Sequence, residues 1–262
     1  MDLDLTGKHA LVCGGSQGIG LATATTLASL GADVTLLARR AELLHSLATQ
    51  LPRLGAAQAH GWISVDSADT ETLKSKVDAL TAGKPVHILV NNSGGPAPGP
   101  VHGTDIAAFE AAFRQHLIAN HVLAEAVIPG MQRDGYGRIV NVISTSVKEP
   151  ISGLGVSNTT RWAVASWAKT LATELARYGI TVNNVLPGST ETPRIEQIIE
   201  TRASKTGRSR EDIHADMVAE IPMGRFARPE ETAAAISFLC SPAASYISGI
   251  NLPVDGGRTR SL

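Results

Sequence analysis

Seven short apolar runs rich in β-branched residues recur along the chain, at 9–13, 33–38, 61–65, 86–91, 138–143, 180–186 and 250–254. Several are apolar at nearly every position rather than at alternate ones, the pattern of strands buried on both faces. Between them, apolar residues fall at helical spacing over 19–30, 40–51, 69–80, 105–131, 156–178 and 229–240. Strands and helices alternating through short connections predict a parallel sheet with right-handed crossovers and helices on both faces. No linker, repeat or shift in composition divides residues 1–262, so one domain is expected.

The rhythm breaks at about 190–222, the most charged stretch of the chain. There Ser209 and Asp212 are spaced as a helix cap ahead of Ile213, Met217 and Val218. The excursion leaves from the carboxyl end of the sixth strand, where open parallel sheets bind ligands, and is read as a substrate lid. Its aliphatic residues Ile195, Ile198, Ile199, Met217 and Ile221 suit an apolar ligand or a packing face equally.

Composition narrows the class of partner. With 43% hydrophobic residues, 18% charged residues and a net charge of −1, nothing electrostatic points to nucleic acid or to an anionic membrane. Cys13 and Cys240 sit in apolar runs and suit buried thiols of a reducing compartment rather than a disulfide framework. The acidic start of the chain lacks the basic region of a signal peptide, and no apolar run reaches the ~20 residues that span a bilayer. A soluble, cytoplasmic protein is expected.

The most informative motif is Cys13-Gly14-Gly15-Ser16-Gln17-Gly18-Ile19-Gly20, between the first strand and the first helix. Glycines permit a tight turn and close approach by a ligand. The helix start adds free N–H groups and a positive dipole end. Gly14, Ser16, Gln17, Gly18, Ile19 and Gly20 are therefore the candidate cradle for the diphosphate of a dinucleotide. Other signals sit at strand ends. Asp66 follows the third strand and can accept from an adenine amine, while Asn91, Asn92, Ser93 and Gly94 follow the fourth. Pro187 and Gly188 end the sixth, with the hydroxyls of Thr190 and Thr192 beyond them, and Asp255-Gly256-Gly257 closes the seventh. Where an NAD site usually has an acid after the second strand, this chain has Arg39 and Arg40. Two guanidinia suit a 2′-phosphate, so NADP(H) is favoured over NAD(H).

These motifs, with Arg138-Ile139-Val140-Asn141, Ile180-Thr181-Val182-Asn183 and Tyr246-Ile247-Ser248-Gly249, resemble the short-chain dehydrogenase/reductase family. The type is that of the 3-oxoacyl-carrier-protein reductases. The resemblance implies an α/β, Rossmann-type doubly wound domain with a seven-stranded sheet. It also implies a homo-oligomer, tetramer or dimer, built around the long fourth and fifth helices. The family uses a Ser, a Tyr, a Lys four residues further on, and an Asn on the preceding long helix. Ser144 matches the Ser. Ser157 stands at the Tyr position, Arg161 at the Lys position and His116 at the Asn position.

The substitutions change the chemistry available. An aliphatic hydroxyl is a far weaker acid than a phenol of pKa near 10, so Ser157 can hydrogen-bond a carbonyl but not replace the phenol as proton donor. Arg161, one turn from Ser157, can hold ribose hydroxyls and support negative charge, but it keeps its proton. Two proton sources remain: His116, with a titration expected near pH 6.5, or solvent acting on an alkoxide held by Ser144, Ser157 and Arg161. The expected function is an NADP(H)-dependent oxidoreductase acting on a small-molecule carbonyl or alcohol. The alternative is a nucleotide-binding protein of the same fold that does no redox chemistry.

Overall fold

The computed structural model describes residues 1–261. Seven parallel strands form a single sheet in the order β3-β2-β1-β4-β5-β6-β7. In chain order they are β1 (His9–Cys13), β2 (Asp33–Ala38), β3 (His60–Ser64), β4 (Ile88–Asn91), β5 (Gly137–Val142), β6 (Ile180–Pro187) and β7 (Asn251–Val254). The order reverses between β1 and β4, which opens a crevice at the carboxyl edge of the sheet.

Helices cover both faces: α1 (Gly18–Ser29), α2 (Ala41–Gln50), α3 (Thr70–Gly83), α4 (Ile106–Phe113), α5 (Ala119–Asp134), α6 (Gly155–Leu175), α7 (Pro193–Thr206), α8 (Arg210–Ala219) and α9 (Pro229–Cys240). Alternate strand residues feed two cores. Ala10, Val12, Val34 and Leu36 pack with α1, α2 and α9. Leu11, Cys13, Leu37 and Leu89 pack with α3, α5 and α6. Burial on both faces is why these strands read as continuous apolar runs. Both cysteines are free and buried. Among the described residues no helix is long and apolar enough to cross a membrane.

Two helical boundaries differ from expectation. The run 105–131 is not one helix: α4 and α5 are joined by a π-helical turn, Arg114–Ile118, that carries His116. The run 156–178 stops at Leu175 and finishes in a 3₁₀ turn, Ala176–Tyr178, before Gly179 in the left-handed region. Tyr178 packs against the α3/α5/α6 core, away from the crevice.

A four-strand ladder of side-chain amides crosses the sheet interior. Asn91 Nδ2 donates to Asn141 Oδ1 at 2.8 Å, Asn141 Nδ2 to Asn184 Oδ1 at 2.9 Å, and Asn184 Nδ2 to Asn251 Oδ1 at 2.8 Å. Each pair occupies matched positions in the strand register. Asn91 therefore turns its side chain along the sheet toward β5.

The 190–222 excursion forms α7 and α8 with a small core of their own, built from Ile195, Ile199, Ala203, Ile213, Met217 and Ile221. Ser209 Oγ accepts from the Asp212 amide at 3.0 Å, the cap expected from the spacing. Arg210 pairs with Glu196 at 2.7 Å and with Glu200, which ties α8 back to α7.

Candidate functional site

The turn after β1 can form only because its glycines lack side chains. Gly14 and Gly18 have φ of +59° and +54°, and a Cβ on Gly20 would lie 2.2 Å from the Gly14 carbonyl oxygen. Among the described residues no side chain caps α1, and its first turn carries no acid. Its free N–H groups and dipole are thus available to an anion. Gly20 sits beneath the turn instead of on the cavity wall, so it lets the turn pack and is not itself a contact surface. The loop after β6 closes over the turn, with Thr192 Cγ2 3.0 Å from where a Gly18 Cβ would stand.

From this turn a cavity of about 1030 Å³ runs along the carboxyl edge of the sheet. One end holds Ser16, Gln17, Arg39, Arg40 and Asp66. Arg39 and Arg40 are exposed, and among the described residues neither is in an ion pair. Arg40 Nη2 donates to Gln17 Oε1 at 3.4 Å. Asn92, Ser93 and Gly94 line the middle. Pro187, Gly188, Thr190 and Thr192 form the wall beside the start of α7, joined by donation from Thr190 Oγ1 to the Gly188 carbonyl at 3.2 Å.

The other end holds Ser144, Ser157 and Arg161. Ser144 caps a short 3₁₀ turn (Thr145–Val147), its Oγ accepting from the Ser146 amide at 3.0 Å. Trp162 on α6 donates to the Ser146 carbonyl at 3.0 Å, which fixes the helix bearing Ser157 and Arg161 against that turn. Arg161 is only 7% exposed and donates through Nη1 to the Val142 carbonyl at 3.1 Å. Burial, then the neighbouring Arg194, pull its pKa down to about 10, which leaves it cationic at neutral pH.

His116 departs from expectation. It is 1% exposed and lies behind Ser93, with 2.7 Å between its Nδ1 and Ser93 Oγ, and it does not line the cavity. Burial, reinforced by the Arg161 charge, pushes its pKa down to about 3 rather than near 6.5. Its Nε2 is buried with no partner. A neutral ring enclosed in this way is a support for Ser93, not an acid for neutral pH.

Arg194, the second residue of α7, was not anticipated. Its Nη2 donates to the Pro96 carbonyl at 3.1 Å, and it lines the cavity beside Arg161. The available signal was its position: a cation in the first turn of a helix opposes the helix dipole and implies a local reason. The aliphatic residues of the 190–222 excursion divide. Ile195 and Ile198 reach the cavity, whereas Ile199, Met217 and Ile221 only pack α7 against α8.

A family model described as Enoyl-(Acyl carrier protein) reductase matches residues 14–259. The 4-formylbenzenesulfonate dehydrogenase of Comamonas testosteroni is 33% identical over 258 residues, which cover 98% of this chain and 99% of that protein. The cis-4-hydroxycyclohexanecarboxylate dehydrogenase of Sinomonas cyclohexanicum is 34% identical, covering 96% of each. The crystal structure of L-sorbose reductase from Gluconobacter frateurii, complexed with NADPH and L-sorbose, matches with a TM-score of 0.92 over all of both chains at 31% identity. Matched by the family model and these relatives along nearly its whole length and sharing the fold of the reductase, this chain belongs to the short-chain dehydrogenase/reductase family.

Proposed function

We propose that the protein is an NADP(H)-dependent oxidoreductase that interconverts a small carbonyl compound and its alcohol without a tyrosine acid. The observation that carries this reading is one continuous cavity, from the uncapped start of α1 to Ser144, Ser157 and Arg161. The cradle fits a dinucleotide: side chains on Gly14 or Gly20 would collide with Asn92 and with the turn itself. The α1 amides would hold the diphosphate, and Arg39 with Arg40 the 2′-phosphate. Asp66 would meet the adenine, Arg161 the nicotinamide ribose. When bound, NADPH supplies the hydride.

The chain's own groups then deal with the carbonyl oxygen. Ser144 and Ser157 donate hydrogen bonds to it, and the Arg161 cation stabilises the negative charge that develops there. With His116 held neutral behind Ser93, the proton comes from solvent entering the open cavity. Arg161 stays protonated throughout, so it contributes charge alone. The α7–α8 pair acts as the lid, with Ile195 and Ile198 as its cavity-facing residues. The matched dehydrogenases are named for compounds that join a formyl or hydroxyl group to a sulfonate or carboxylate, and the reductase for a sugar. A small polar substrate suits all three. The homo-oligomer contacts are placed on the outer faces of the π-helical turn and α6, where Ile118 and Trp162 are 44% and 50% exposed. Unpaired thiols fit a cytoplasmic setting.

The test is NADPH binding by fluorescence, followed by its oxidation with a panel of ketones, quinones and 3-oxoacyl thioesters. Binding with turnover is expected, and Ser144→Ala should lower kcat by ~10²–10³, the usual effect of losing one such donor. Binding with no turnover across the panel would instead support the nucleotide-binding alternative, which the exchange of Tyr and Lys for Ser157 and Arg161 also favours.

A further inference from the structure

We infer that Arg161 and Arg194 form a carboxylate-binding subsite at the reacting end of the cavity, so that the substrate is an oxo acid or the corresponding hydroxy acid. The inference rests on the oxidoreductase reading above and narrows its substrate class.

Among the described residues four guanidinium groups line the cavity against a single carboxylate, Asp66. Arg39, Arg40 and Asp66 follow β2 and β3 at one end. Arg161 and Arg194 meet at the other, around Gly95. A Cβ placed on Gly95 would be 3.7 Å from Arg194 Nη2 and 3.9 Å from Arg161 Nη2, so both nitrogens border one small space. That space adjoins the reacting groups, because Arg161 is anchored to Val142, two residues before Ser144.

Neither cation is neutralised. Each makes one hydrogen bond among the described residues, to a carbonyl of Val142 or Pro96, and neither is in an ion pair. A guanidinium has five donors, and burying one without an anion is strongly unfavourable. Arg161 is more than nine-tenths buried and lines the cavity, so its spare donors are directed at whatever enters. The nearby backbone adds to the field. Thr192 Oγ1 donates to the Thr190 carbonyl instead of capping α7, so the helix start beside Arg194 keeps its positive end. Glu196, the acid of that first turn, is taken by Arg210 at 2.7 Å. Burial and, after it, the Arg194 charge both disfavour the Arg161 cation. A planar carboxylate accepts from two forks at once and relieves their mutual repulsion. The coenzyme diphosphate has its own cradle at α1, and the ribose takes only part of the five donors of Arg161, which leaves Arg194 and the spare donors of Arg161 for the substrate.

The test is calorimetric titration of the chain, with and without saturating NADPH, using 2-, 3- and 4-oxo acids of four or five carbons and the methyl ester of each. At least one acid should bind more tightly than its ester by ~10–100-fold, the range of one charge-assisted hydrogen bond. Arg194→Met should cut that preference several-fold and leave NADPH affinity within ~2-fold, while Arg194→Lys keeps more of it, since a cation remains at that position. Equal binding of every acid and ester overturns the inference, as does a loss of NADPH affinity in Arg194→Met that matches the loss for the acid. An acid preference in a chain that does not bind NADPH would uphold the subsite and defeat the oxidoreductase reading.

Discussion

Exchanging His116 for Asn should make the protein less sensitive to acid while leaving its rate profile near neutrality unchanged. The ring titrates at 6.5 when unperturbed and at about 3 when folded, because burial and the Arg161 charge oppose protonation. Below pH 6.5 the unfolded chain takes up a proton that the folded chain refuses. The stability contributed by the neutral ring is therefore complete above that value, and it falls away as the pH drops toward 3. Between about pH 7.5 and about pH 5 the linkage removes about 2 kcal/mol, close to 1.36 kcal/mol for each of roughly 1.5 pH units. Asn does not titrate, and its amide can still meet Ser93 Oγ. Urea unfolding followed by tryptophan fluorescence at the two pH values, for both proteins, measures the difference directly. His9, driven down to about 4, and the similarly lowered His60 and His87 are present in both, so their effects cancel. Equal acid losses in wild type and variant would refute the burial argument. A variant whose kcat profile loses an inflection between about pH 6 and pH 8 would return His116 to the role of proton donor.

Three further outcomes test the scaffold and the cofactor site. Gly20→Ala puts a methyl 2.2 Å from the Gly14 oxygen, so fluorescence titration should show NADPH affinity lowered by at least ~10-fold, with a stability cost of ~1–3 kcal/mol on urea unfolding. Replacing Arg39 and Arg40 together by Ser should lower affinity for NADPH by ~10–100-fold and leave NADH nearly unaffected, as two charge-assisted contacts to the 2′-phosphate are lost. Asn141→Leu strands the amide of Asn91 and the carbonyl of Asn184, and should cost ~2–5 kcal/mol in the same unfolding assay, from two unpaired buried groups.

Much of this was legible in the sequence because it depends on local signals. Strands buried on both faces leave unbroken apolar runs, and the glycine turn needs its residues at fixed offsets, so β1 to β7 and that turn could be placed from residue types alone. The exchange of Ser157 and Arg161 into the Tyr and Lys positions was also readable, since Trp167 to Ala172 continue the family pattern without a gap. What stayed hidden depends on the third dimension. Nothing local to His116 shows that a π-helical turn buries it behind Ser93. Arg194 looks like one more basic residue of a charged stretch until Gly95 brings it to Arg161. Ile198 and Ile199 are adjacent in sequence, yet only Ile198 lines the cavity, because Ile199 is turned into the core that α8 makes with α7.

The amide chain from Asn91 to Asn251 fixes the edge from which the site loops depart. It acts as a crossbar that holds four strands in register: sliding β5 or β6 by a residue breaks amide contacts on both sides, and sliding β4 or β7 breaks one. The loops bearing Ser93, Ser144, Gly188 and Asp255 thus start from one shared edge, whatever side chains α6 presents to them. Positions 157 and 161 hang from a helix outside that crossbar, so side chains there can differ without disturbing the strand ends that frame the cavity.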